Sequence, residues 1–190
     1  MIRVKSTSRL LLVLALSVGC DARNDTGPDG QDKAFRALAG LNSAEIDYLE
    51  KDLDKNGIRD FWTGDVSGLF QYGLIPREVA EADAFPLHPL VKQPKAYHGY
   101  LFVSLEWDDS EQIPENLLQD TDEKSGKVHH KSRFAFCAFP AATGENFRWI
   151  YLRGYGGDMG VVLGRKTKGV EPVRRWPNAK ERSAHWAIID

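Results

Sequence analysis

Tyr97 to Trp107 (YHGYLFVSLEW) is the stretch where the chain changes character. It is dense in aromatic and β-branched residues, which fit a pleated, half-buried surface, so it predicts a strand. Downstream, residues 133–139 predict a second strand stopped by Pro140, and Phe147 to Arg153 a third. Gly154 to Gly160 (GYGGDMG) predicts a hairpin turn into a fourth strand at Val161 to Leu163. Asp108 to Ser132 is polar and charged and predicts a long loop, while the tail after Trp176-Pro177 predicts a short helix around Lys180 to Trp186. Upstream the pattern is helical. Phe35, Leu38, Leu41 or Asn42, Ile46 and Leu49 recur at three- and four-residue steps, with Asp32 as the cap and an end near Lys51. Short helices are expected at Val66 to Tyr72, capped by Thr63 or Asp65, and after Pro76 through Arg77 to Ala82. Helices first and an antiparallel meander afterwards make an α+β fold, an N-terminal helix packed on a small antiparallel sheet. No helices alternate with the strands, which argues against a long parallel sheet. Residues 33–190 are enough for one domain with a sizeable core.

Ahead of that domain stands a different kind of segment. Arg3, Lys5 and Arg9 precede an apolar run, Leu10 to Val18, and Gly19-Cys20 follows. A basic start, a short apolar core and a small residue before the cut are the grammar of a secretory signal. Nine apolar residues rise about 14 Å as a helix, roughly half the ~30 Å hydrocarbon core, so the run is too short for a stable span. The cysteine makes residues 1–19 resemble a cleaved lipoprotein signal, with Cys20 the first mature residue and the bearer of acyl chains. Ser17 stands where leucine is commonest in that pattern, and an ordinary signal peptide with an incidental Cys20 is the alternative. Asp21 resembles the inner-membrane retention signal of enteric bacteria. Residues 20–32, polar with Gly and Pro, predict a flexible tether. The expected location is the cell envelope, lipid-anchored, with the domain facing the periplasm or the exterior.

Composition narrows the partners. Loss of Arg3, Lys5 and Arg9 leaves 22 Lys and Arg against 27 Asp and Glu, a net charge near −5. That argues against a nucleic-acid partner, which would want a basic face. If Cys20 is acylated, Cys137 has no intramolecular partner, so disulfides do not staple this chain. Cys137 lies within FAFCAF and predicts a buried structural thiol.

The loop Asp52 to Asp60 (DLDKNGIRD) is the most informative local motif. Oxygens at alternate positions, with Gly57 allowing a sharp turn, suit calcium, which takes six to eight oxygens at about 2.3–2.6 Å. Asp52, Asp54, Asn56 and Asp60 are the candidate side-chain ligands, the carbonyl of Ile58 adds an oxygen, and Asp65 closes the shell. The match to an EF-hand is incomplete: Thr63 occupies the twelfth position and Arg59 the eighth. The spacing is closer to the Asp-x-Asp-x-Asn-Gly-x-x-Asp loops of extracellular repeat proteins. The alternative is a solvated turn in which Asp and Asn bond their own backbone and no metal binds. Any calcium here is expected to be structural rather than catalytic.

No reaction declares itself. His129-His130 are adjacent, so they point apart on a strand, and no third zinc ligand stands at useful spacing. Neither HExxH nor GxSxG occurs. Ser67 reads as a serine in a turn or helix start. The five tryptophans and several tyrosines are mostly core or rim, with an exposed subset as a candidate binding face.

Leu41 to Phe70, with its Asn42-Ser43-Ala44-Glu45 helix running into Asp52 to Asp60 and then Phe61-Trp62, resembles a segment of uncharacterised secreted proteins with a type IV pilin-like domain, especially from planctomycete-like bacteria. Ala96 to Phe102 and Phe134 to Pro140 are similar to the sheet of that group, and to a domain-of-unknown-function family with YHGYxF and FAxxAxP strands. The resemblance implies a helix on an antiparallel sheet, like the head of a pilin or pseudopilin, and it brings no catalytic residues. A pilin keeps a long apolar N-terminal helix; here the apolar run is short and precedes Cys20. The expected function is a non-enzymatic envelope lipoprotein that contacts the membrane through Cys20 and binds an envelope protein or polymer. An envelope-acting enzyme and a purely structural envelope component are the alternatives.

Overall fold

A 24-residue helix, α1 (Pro28–Lys51), opens the part of the chain that the computed structural model describes, namely residues 28–89, 91–108, 117–121, 128–144, 146 and 148–189. The signal segment, Cys20 and residues 21–27 lie outside the described residues. The helix starts four residues before Asp32, so residues 28–32, expected to end a flexible tether, are helical instead. Pro28 is well suited to a first turn, because the N–H it lacks has no intrahelical partner there. Asp32 instead pairs with Arg36 one turn on, at 3.0 Å. The buried stripe is Ala34, Leu38, Leu41, Ala44, Glu45 and Tyr48, with Phe35, Ile46 and Leu49 half-buried beside it. It is rotated by about one residue from the apolar pattern and includes two small alanines and one carboxylate.

After the acidic loop come β1 (Phe61–Trp62), a 3-10 turn (Ser67–Tyr72) closed by Gly73 at φ +70°, and α2 (Arg77–Glu81) immediately behind Pro76. The main sheet is built from β2 (Tyr100–Ser104), β5 (Phe134–Pro140), β6 (Arg148–Tyr155), β7 (Val162–Thr167) and β8 (Ala187–Ile189), in that spatial order and antiparallel throughout. The short strands β3 (Asp120–Thr121) and β4 (Val128–His130) join β1 in a second, three-stranded sheet. The tail carries α3 (Ala179–His185), whose Asn178 and Glu181 form a capping box. The fold is α+β, as the order of elements predicts.

β5 is buried along its whole length and divides the core in two. Phe134, Phe136 and Ala138 face α1, together with Tyr100, Phe102 and Tyr151. Ala135, Cys137 and Phe139 face the opposite side, where Leu105, Leu118, Met159 and Trp176 cover them. Trp176 is held there because its backbone N–H donates to the Trp107 carbonyl at 2.8 Å, while the backbone N–H of Glu106 donates to the Arg174 carbonyl at 2.7 Å. Cys137 is fully buried, and burial pushes its thiol up to about 12, so it stays protonated. Among the described residues no helix is long and apolar enough to cross a membrane.

Candidate functional site

The acidic loop follows directly from the end of α1. Asp52, Lys55 and Gly57 adopt positive φ (+44°, +57° and +77°), which winds Asp52 to Asp60 tightly. Asp52 Oδ2 accepts from Gly57 N at 3.1 Å, and Asn56 Nδ2 donates to Asp54 Oδ2 at 3.0 Å and to Asp60 Oδ2 at 3.3 Å. Asn56 Oδ1 accepts from Ile58 N at 2.6 Å. Asp52, Asp54, Asn56 and Asp60 are thus brought together, and the amide nitrogen of Asn56 stands between two carboxylates. Ile58 is exposed at the rim.

Two residues that spacing did not reveal complete this end. Pairing of β1 with β4 sets His129 opposite Trp62 and places its Nδ1 2.8 Å from Asp60 Oδ2. His130 points elsewhere, its Nδ1 accepting from the amides of Ser132 and Arg133 at 3.1 Å each. Glu45, fully buried on α1, accepts from Trp62 N through Oε2 at 2.9 Å. Burial raises its pKa well above the ordinary value, and the nearby Asp60 adds to the effect. Burial likewise raises the pKa of Asp60, with Asn56 and His129 opposing the rise. Asp52 Oδ1, Asp60 Oδ1 and Glu45 Oε1 are buried and accept no hydrogen bond. As placed, no group of three or more His, Cys, Asp or Glu side chains among the described residues is arranged to hold a metal ion. The signal for Glu45 was a lone carboxylate on the apolar face between Leu41 and Tyr48. His129 had none beyond its neighbour, because its pairing spans almost 70 residues.

Asp65 does not belong to this loop. Its Oδ1 accepts from Trp62 Nε1 at 2.9 Å and Gly68 N at 3.0 Å; its Oδ2 accepts from Ser67 Oγ, Leu87 N at 2.7 Å and His88 N at 3.3 Å. Five donors leave it no lone pair for a cation. Asp83 accepts from Ser67 N at 2.7 Å and Phe85 N at 3.0 Å. Burial, with the charge of Asp65 beside it, pushes Asp83 up to about 6. Ser67 is fully buried with its hydroxyl given to Asp65. The cluster ties the 3-10 turn to residues 85–88, and its oxygens are committed to backbone amides rather than aimed at a substrate.

A third feature is open to solvent. β8 pairs with Val162, Leu163 and Gly164 only, while β7 runs on to Thr167. Beyond the end of that pairing lies a groove of about 680 Å³ between Trp149 and Lys166 on one side and His185 and Trp186 on the other. Arg165 lies over the Trp186 ring at 4.9 Å and Lys166 over Trp149 at 5.7 Å. No protein family, curated protein or solved structure matches the chain.

Proposed function

We propose that the chain is an envelope lipoprotein, held to a membrane by lipid on Cys20, whose domain is a non-enzymatic, pilin-head-like module that presents its acidic end to an envelope protein or polymer. Structural calcium in the Asp52 to Asp60 loop steadies that end. The observation that carries this reading is the set of buried carboxylate oxygens of the loop, on Asp52 and Asp60, that accept nothing. A buried acceptor left unsatisfied costs about 1–3 kcal/mol, and a hard cation with oxygen ligands is the partner that such a set suits. A half-turn of the Asn56 amide would exchange Nδ2 for Oδ1 and place an acceptor between Asp54 and Asp60. Asp52, Asp54, Asn56 and Asp60 are then the side-chain ligands, with the Ile58 carbonyl, and Asp65 is excluded. Packing of α1 against β5 and β6 supports the comparison with a pilin head, and the committed oxygens of Asp65 and Asp83 favour a binder over an enzyme.

Two measurements test the two halves of this reading. Thermal unfolding of residues 24–190 in calcium at ~100 times its dissociation constant should gain about 2.7 kcal/mol over EDTA, roughly 5–10 °C for a domain of this size. Asp54→Ala should abolish the gain; equal melting in calcium and EDTA would reduce the loop to a turn. Metabolic labelling with radioactive palmitate should mark the full chain and not Cys20→Ser. An unlabelled wild-type chain would remove the anchor.

A further inference from the structure

The groove between Trp149 and Trp186 is not part of the acidic end. Trp149 stacks on Tyr151 at 6.3 Å, and Tyr151 meets the ring of Phe35 at 5.8 Å. Pro28, Gln31, Asp32, Phe35, Tyr151 and Ile189 line a second hollow of about 360 Å³, with Asp32 paired to Arg36. A Cβ on Gly164 would meet both Ile189 and Trp149, so the two hollows adjoin across that glycine. The groove therefore lies next to the hollow at the start of α1. Cys20 lies eight residues ahead of Pro28, a reach of at most about 29 Å when extended.

Charge is divided the same way. Residues 148–189 carry nine Lys and Arg against three Asp and Glu, whereas residues 20–147 carry 13 against 23. Six of those nine lie on β6, β7 and α3, and two of them, Arg165 and Lys166, line the groove, while Arg174, Arg175 and Arg182 are paired with Glu106, Glu181 and Asp158. Arg165 sits over Trp186 on one face of β7 and Lys166 over Trp149 on the other, flanking the unpaired end of the strand, and each is a pairing of cation and amphipathic aromatic that suits a boundary between water and hydrocarbon. Beside them Ala184, Ala187 and Ile188 are exposed, Ile188 to 65%.

We propose that this groove docks the phosphate headgroups of anionic phospholipids and lays the domain against the bilayer that holds its anchor. The bilayer meets the free edge of β7 beyond Gly164, where Arg165 with Trp186 from one face and Lys166 with Trp149 from the other bring their cations to the phosphates and their indoles to the headgroup level. The placement of that bilayer next to the groove rests on the lipid-anchored reading; the groove's affinity for headgroups does not.

The test uses the chain from residue 20 with Cys20→Ser, which carries no lipid. Every described element begins at or after Pro28, so this chain retains all of them. It should cosediment with vesicles of phosphatidylglycerol in phosphatidylcholine and not with phosphatidylcholine alone, with a blue shift in tryptophan emission. Arg165→Gln with Lys166→Gln should weaken the association roughly 25-fold, fivefold for each cation. Lys166→Glu alone, at an exposed position, should weaken it at least fivefold and serves if the double variant melts early. Trp186→Ala should reduce the blue shift. Wild-type protein that ignores the anionic vesicles, or variants that bind them as well as wild type does, would overturn the proposal. So would equal retention on both vesicle types, or binding to a soluble acidic polysaccharide in place of vesicles. Palmitate labelling concerns Cys20 alone, so a missing anchor and a missing lipid site give different results.

Discussion

Asp83 meets two backbone amides and almost no water, and its proton is correspondingly hard to remove. Its folded pKa of about 6 stands above the ordinary 3.8, so the folded chain holds the proton more tightly than the unfolded one. The stability that this proton contributes is complete below about pH 4 and is lost as pH rises through 6. Glu45, raised by burial, acts with the same sign. Glu181 is held down to about 2 by the Arg175 guanidinium, so its own contribution fades only in acid, outside that window. The protein should melt at a higher temperature at pH 5 than at pH 7.5. The difference is about 1.4 kcal/mol for Asp83, and Asp83→Asn should remove most of that part. Scanning calorimetry at the two pH values checks it; a wild-type melting temperature that does not fall between them would contradict the assignment. The residue scale is also where the sequence misled most. Asp65 sits five residues beyond Asp60, a separation that fits a closing ligand. No spacing reveals that Trp62 Nε1 and four other donors claim it first. Asp52, Asp54, Asn56 and Asp60 were legible as a cluster because they are close along the chain.

At the scale of elements, success followed local pattern. β2, β5, β6 and β7 and the helices α1 to α3 were readable because each repeats its own periodicity over several residues or carries a cap. The three-stranded sheet was not: β1, β3 and β4 are two or three residues long, and Phe61 pairs with His130, far along the chain. β8 was missed for the same reason of length. The 3-10 turn shows how tightly the short elements are set. Gly68 lies against the Trp62 indole, and Asp65 Oδ1 accepts from both Trp62 Nε1 and Gly68 N. A Cβ at residue 68 would run into that ring, so Gly68→Ala should destabilise by about 1–3 kcal/mol through overpacking. Urea unfolding measures this, and a change within about 0.5 kcal/mol would show that the ring can yield.

For the molecule as a whole, the α+β arrangement was legible from the order of elements, since hairpin-linked strands with no intervening helices pair in sequence. The division of the core by β5 was not, because an all-apolar strand says that both its faces are covered without saying by what. The cover on the second face comes from residues 173–176 crossing beside 105–107, a contact that no local pattern announces. The long helix adds a consequence of a mechanical kind. Its 24 residues extend about 36 Å from Pro28 to the acidic loop, packed against β5 and β6. A pull on the chain ahead of Pro28, directed along the helix axis, loads that whole packed seam in shear, so many contacts must slip together. The same pull directed across the axis peels the helix one turn at a time, beginning at the ring contact between Phe35 and Tyr151. The domain should therefore resist force strongly in one direction and yield readily in another.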